Sequence, residues 1–387
     1  MNTPFLIAGL CACWSISAAA QVTGEFYLDK DTFVPGEPVF LYFKLSNNSL
    51  DAIQLASPDI DQPFCSGTSI TVTNDPPPAY SCHNFADSGC VINGALRPLS
   101  ALQPGQSNTQ RFLLNFNHEI NAPGDYQAEA AHNGMPPGAG GEAKASLHFR
   151  VDGDAAAYPP AKLQPWLDSL KSNDQAKRIE SAQTLASLAP LWLEDTLLGF
   201  AANPEFRRYA PLALHRLKTP RSIEALADMV KATGPGTWEQ MEAARYLAMT
   251  GDQQWYPLLL DAAVKNGKIS NYPAYAAELG GDKMLPVLVD LAKNPDTRLQ
   301  AVMAMGSTAS RTALPILLQF LRSPDLGTSQ RAAGSLSQLT HRTGVQLWPK
   351  VPDPQTEYTL WTQWWQREGA TAQIYKETDC GEMVPLS

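Results

Sequence analysis

Trp255-Tyr256-Pro257-Leu258-Leu259-Leu260-Asp261, Met284-Leu285-Pro286-Val287-Leu288-Val289-Asp290 and Ala313-Leu314-Pro315-Ile316-Leu317-Leu318-Gln319 are three versions of one phrase. Their prolines stand 29 residues apart. Six residues before each proline comes Gly251, Gly280 or Ala309, where the preceding helix is expected to end. From Leu163 onward the apolar residues keep a helical period, so each repeat holds two helices. A period of that length with two helices per unit is the pattern of an α-solenoid, in which each unit buries its apolar face against the next.

Less regular copies lie upstream, Leu191 to Phe200 with Glu205 to Leu217 and Ile223 to Val230 with Trp238 to Met249. With the pair that opens at Leu163, the array counts about six helix pairs over residues 161–344. These units resemble the HEAT repeat in a short version, from Leu163 to about Thr343. The resemblance implies an all-α array that works through its surface, and it brings no catalytic residue with it. Residues 345–387 depart from the repeat. Trp361, Trp364 and Trp365 share one helical face by their spacing, with Tyr358 a turn earlier. They are expected to form a cap over the last repeat, with an aromatic ligand patch as the alternative. Exported bacterial HEAT proteins that close on a Trp-rich segment are similar here.

The first part of the chain reads differently. Glu25 to Asp29, Val39 to Leu45, Ser69 to Thr73, Arg111 to Phe116, Tyr126 to Ala130 and Ser146 to Val151 alternate apolar and polar residues, as half-buried strands do. Pro35-Gly36, Asn47-Asn48, Pro104-Gly105 and Pro123-Gly124 punctuate them with turns. An all-β sandwich is expected over residues 21–152, joined to the helices by a Gly-, Ala- and Pro-containing linker over 153–160. Asp31-Thr32-Phe33-Val34-Pro35-Gly36-Glu37-Pro38-Val39, Leu102-Gln103-Pro104-Gly105-Gln106 and Ala122-Pro123-Gly124-Asp125-Tyr126 resemble turns of immunoglobulin-like modules in exported proteins. The expected architecture is thus multidomain, an immunoglobulin-like sandwich followed by a HEAT-like solenoid. Few contacts are expected to cross the linker.

Residues 1–20 read as a signal peptide. Phe5 to Ile16 is a short apolar run, and Ala18 and Ala20 supply the small residues that precede a cleavage site, so the mature chain is expected to begin at Gln21 in the periplasm or outside the cell. Cys65, Cys82, Cys90 and Cys380 then remain. In an oxidising compartment they are expected to form disulfides, with Cys82 and Cys90 the favoured local pair. Zinc is the rival reading, and no Cys-x-x-Cys spacing supports it. No later run is apolar enough for a membrane span. A net charge of −9 lacks the basic face that nucleic acid requires.

Motifs of chemistry are missing. His118 and Glu119 are adjacent without the second histidine of a zinc-protease helix, and there is no Gly-x-Ser-x-Gly elbow or phosphate-binding glycine loop. The expectation is a non-enzymatic protein without cofactor that binds a protein or peptide along the second helices of the repeats. Arg245, Tyr246, Tyr272 and Tyr275 are the candidate partner-binding residues, because Tyr246 and Tyr275 occupy one phase in neighbouring repeats. The competing reading packs these tyrosines between repeats. An alternative function is an accessory module of a carbohydrate- or protein-processing system, in which the sandwich binds a glycan or inhibits a protease through a loop such as Asp75 to Ser81.

Overall fold

The computed structural model describes residues 22–55, 68–75, 100–132, 143–154, 158–232, 236–266, 268, 271–342, 354–377 and 383–386. The leader reading, the disulfide reading of Cys65, Cys82, Cys90 and Cys380, and the loop that follows Asp75 lie outside these residues.

The amino-terminal region is β-rich. Its strands are β1 (Val22–Leu28), β2 (Thr32–Phe33), β3 (Phe40–Asn47), β4 (Ile53–Leu55), β5 (Thr68–Asp75), β6 (Ser100–Leu102), β7 (Ser107–Leu113), β8 (Gly124–His132) and β9 (Ala143–Val151). One sheet runs β1-β3-β7 and another runs β2-β9-β8-β5, with a short β4-β6 pair beside them. Alternation does what the sequence promised. In β8, Tyr126, Ala128, Ala130 and His132 are buried while the residues between them face outward. Phe26, Leu41, Phe43, Phe112, Ala128 and Phe149, drawn from both sheets, share one core.

The expected strand from Arg111 to Phe116 stops early. It ends at Leu113, and Leu114–Asn117 forms a single helical turn, α1. Asn115 explains the change: its Oδ1 accepts from the Val39 amide at 2.6 Å and its Nδ2 donates to the Glu37 carbonyl at 3.2 Å. The buried side chain thereby fixes a turn that alternation alone could not reveal.

Beyond the linker the helices come in pairs: α2 (Pro160–Ser169) with α3 (Gln175–Leu188), α4 (Glu194–Phe200) with α5 (Ala210–Leu217), and α6 (Pro220–Lys231) with α7 (Trp238–Met249). The series continues as α8 (Tyr256–Asn266) with α9 (Tyr272–Gly280), α10 (Leu285–Leu291) with α11 (Pro295–Ser307), and α12 (Ala313–Phe320) with α13 (Leu326–Thr340). That makes six pairs among the described residues. Pro257, Pro286 and Pro315 fall in the first turns of α8, α10 and α12, where a missing N–H costs no helical bond. Second helices α3 to α13 pack closely on one another, whereas the first helices lie further apart in an outer layer.

At all three small residues the preceding helix ends, as the repeat suggested. Gly251 (φ +67°) and Ala309 (φ +51°) turn the chain through left-handed backbone. Gly280 is different, because its backbone is right-handed and the turn falls on Gly281 instead. A Cβ on Gly280 would stand 2.2 Å from Tyr256 Cε2, so close helix approach is what requires glycine there.

The array closes on α14 (Pro354–Glu368) and a hairpin of β10 (Tyr375–Glu377) and β11 (Met383–Pro385). Trp361 and Trp364 are buried in the helical core and Trp365 packs against it, as a cap requires. Arg311 fastens the exit from α14 by donating to the carbonyls of Gly369, Ala370 and Ala372.

The expectation of few contacts across the linker is not met. Arg216 of α5, buried, donates to the carbonyls of Asn115 and Phe116 in α1 and of Ser187 in α3. Phe116 packs on the helical core, and Phe40 stacks on Trp166 at 6.0 Å. Arg111 pairs with Glu180, and Lys218 reaches Glu119 at 3.1 Å.

Candidate interaction surface

Helix α7 is set by Thr237, whose hydroxyl accepts from Gln240 N while the Gln240 side chain accepts from Thr237 N. That cap starts the helix that carries Glu242 and Arg245. Arg245 Nη2 donates to Glu242 Oε2 at 2.6 Å, a pair one turn apart with both side chains at least four-fifths buried. The guanidinium lies 4.4 Å over the Tyr246 ring and touches Met249 Sδ at 3.8 Å. Burial alone pushes the Arg245 pKa down, but Tyr246 and Glu242 hold it above the usual arginine range. The cation is therefore permanent.

Tyr246 and Tyr272 do not reach the surface. They are 2% and 1% exposed, so the reading of these two as partner-binding residues is corrected to interrepeat packing. The physical reason is visible in their neighbours. Tyr246 stacks on His215 of α5 at 4.3 Å, and the Tyr272 ring covers Gly236, where a Cβ would stand 3.2 Å away. Burial pushes both hydroxyls up to about 12. Ala304, at the third equivalent position, is buried as well.

Tyr275 is half-buried and Arg245 mostly buried, and the fold brings their side chains within electrostatic reach of each other. Burial raises the Tyr275 pKa, Glu242 adds to the rise, and Arg245 and a hydrogen bond with Asn271 oppose it. One turn on, Glu278 meets Lys376 of β10 at 3.7 Å. The result is a strip along α7 and α9 in which Glu242, Arg245, Tyr275, Glu278 and Lys376 follow one another. Glu242 was legible from its spacing to Arg245. Lys376 was not, because it arrives from the tail nearly a hundred residues later.

Two histidines stand at helix ends. His118 is the buried residue that ends α1, and His341 ends α13 in left-handed backbone with its ring 5.2 Å from Tyr375. Among the described residues no group of three His, Cys, Asp or Glu side chains is placed to hold a metal ion. No helix among them is long and apolar enough to cross a membrane.

Residues 276–347 match the HEAT repeats family. The match covers the end of α9 and α10 to α13, which include the second and third copies of the 29-residue phrase. No curated protein matches the chain. Among solved structures, the crystal structure of Salmonella alpha-2-macroglobulin reacted with methylamine is 11% identical over 92% of this chain and 28% of that one, with a TM-score of 0.20. A point mutant of the same macroglobulin gives 11% identity, the same coverage and a TM-score of 0.19. The chain spans 28% of the length of those macroglobulin chains, and scores of this size describe no shared fold.

Proposed function

We propose that this chain is an exported, non-enzymatic binding or scaffold protein that holds a protein or peptide on the second-helix face of its HEAT-like solenoid, with an immunoglobulin-like sandwich as its amino-terminal end. The strip from Glu242 to Lys376 carries the reading: it offers a fixed ion pair, a half-buried tyrosine and a second ion pair along stacked helices. Such a surface has alternating charge for register and an aromatic ring for contact area, as protein interfaces do. HEAT repeats commonly mediate protein interactions, which agrees with it. The Tyr126 hydroxyl donates to the Ala122 carbonyl at 2.8 Å, a corner that supports the immunoglobulin-like reading of the sandwich.

The test is capture from an envelope fraction by the immobilised full-length protein, run beside Asn271→Arg and Tyr275→Ala. Asn271 is exposed next to Tyr275, so Asn271→Arg obstructs the strip without opening the core. The expected outcome is loss of the captured partner in both variants with little change in melting temperature for Asn271→Arg. Unchanged capture by both folded variants would remove this face.

A further inference from the structure

Because the first helices of successive pairs lie further apart than the second, the outer layer opens into clefts between them. A cleft of about 430 Å³ between α10 and α12 is lined by Val289, Lys293, Arg298, Phe320 and Arg322 among others. Its neighbour of about 580 Å³, between α12 and α14, is lined by Leu318, Gln319, Arg322, Tyr358 and Thr362. Gln319 and Arg322 belong to both, so the two form one channel across three helices.

Among the described residues, three cations line this channel and no carboxylate does, in a chain of net charge −9. Each cation's neutralisation is incomplete. Lys293 meets Asp290 at 3.0 Å with both side chains more than seven-tenths exposed, a pair that water largely screens. Arg298 gives Nε and Nη2 to the carbonyls of Ala292 and Lys293, and its charge faces Asp325. Arg322 has no carboxylate partner among the described residues; its guanidinium lies 5.5 Å over the Tyr358 ring. A guanidinium stacked this way keeps its edge donors available for a bidentate carboxylate.

Spacing adds a second constraint. Lys293 and Arg322 are 29 residues apart, the same place in successive repeats. An extended peptide rises about 3.3 Å per residue, so its alternate side chains repeat on one face about 7 Å apart. Acidic side chains at alternate positions of an extended strand therefore face one row of cations. Phe320 and the Tyr358 ring offer apolar walls for a residue between them.

We propose that this outer channel binds an extended acidic peptide, with one carboxylate on Arg322, the next on Lys293 and an intervening apolar side chain against Phe320 or Tyr358. The site lies on the layer opposite to the strip proposed above and does not depend on it.

The experiment is fluorescence anisotropy on the full-length protein with a labelled, end-capped peptide alternating glutamate and leucine. A lysine-for-glutamate version and an oligogalacturonate of equal charge serve as competitors. The expected result is binding of the glutamate peptide that weakens as salt is raised, and a loss of roughly tenfold or more in Arg322→Glu and Lys293→Glu. Tyr275→Ala should bind the peptide as the parent does, which separates failure here from failure of the strip. Arg322 is exposed, so its variant should keep the parent melting temperature. Absent binding at low salt, unchanged binding in Arg322→Glu, or equal competition by the lysine peptide would overturn the proposal. Equal competition by the oligogalacturonate would overturn the peptide assignment in favour of a uronate polymer.

Discussion

Glu357 is 1% exposed on α14, and its Oε1 has no hydrogen-bond partner among the described residues. Burial raises its pKa above the usual carboxylate value. On the same face, Trp361 and Trp364 are also buried, and their indole N–H groups have no hydrogen-bond partner among the described residues. A folded-state pKa above the unfolded value means the folded cap prefers the protonated acid. The associated stability is fully present below about pH 4.5, the ordinary carboxylate value, and is lost as pH rises through the raised one. Glu357→Gln, which cannot ionise, is therefore expected to melt higher than the parent at neutral pH and to lose the pH dependence in that window. Melting curves of both proteins from acid to neutral pH check this, and a Gln variant that melts lower at neutral pH would sink it.

Among the elements, the α8–α9 pair shows how one repeat phrase carries different physics. Gly251 and Gly280 occupy equivalent places before Pro257 and Pro286. The first serves a left-handed turn; the second lets the Tyr256 ring pack against α9. Gly280→Ala is expected to destabilise the fold by about 1–3 kcal/mol through overpacking, despite alanine's better helix propensity. In the double variant with Tyr256→Ala the obstructing ring is gone, so the combined loss should be smaller than the sum of the two single losses. Urea unfolding of the three variants measures the difference, and strict additivity would show that the ring is not what excludes a side chain at Gly280.

For the whole molecule, Arg216 is the central observation. Burial pushes its pKa down to about 10, still far enough above neutrality to keep it charged. Backbone carbonyls of the β-rich region and of α3 together receive that charge. The β-rich region thus covers the open end of the helical array, which would otherwise expose an apolar face. Both regions are expected to unfold in one transition in the full chain. Arg216→Met leaves those carbonyls unpaired at a cost of about 1–3 kcal/mol and should uncouple the two. Hydrogen exchange read segment by segment checks this: the β8 and α5 segments should open together in the parent and separately in the variant. Separate opening in the parent would refute the coupling.

Periodicity made most of the architecture legible. The alternation of Tyr126, Ala128 and Ala130 announces a strand, and the spacing of Pro257, Pro286 and Pro315 announces stacked helix pairs, because both depend on residues close in sequence. The candidate surface was legible only in part. Arg245 and Glu242 are one helical turn apart and could be paired on paper, whereas nothing local distinguishes buried Tyr246 from half-buried Tyr275. Stacking decided that, by placing His215 over one ring and leaving the other beside Asn271. The same holds for Lys376 against Glu278, for the helical turn at Asn115, and for Arg216 between the two regions. The sequence by itself determined a β-rich region followed by repeated helix pairs, since local period dictates which face of each element is apolar. Only the tertiary structure decided which polar groups meet across long separations, because those contacts depend on where the packed elements bring them.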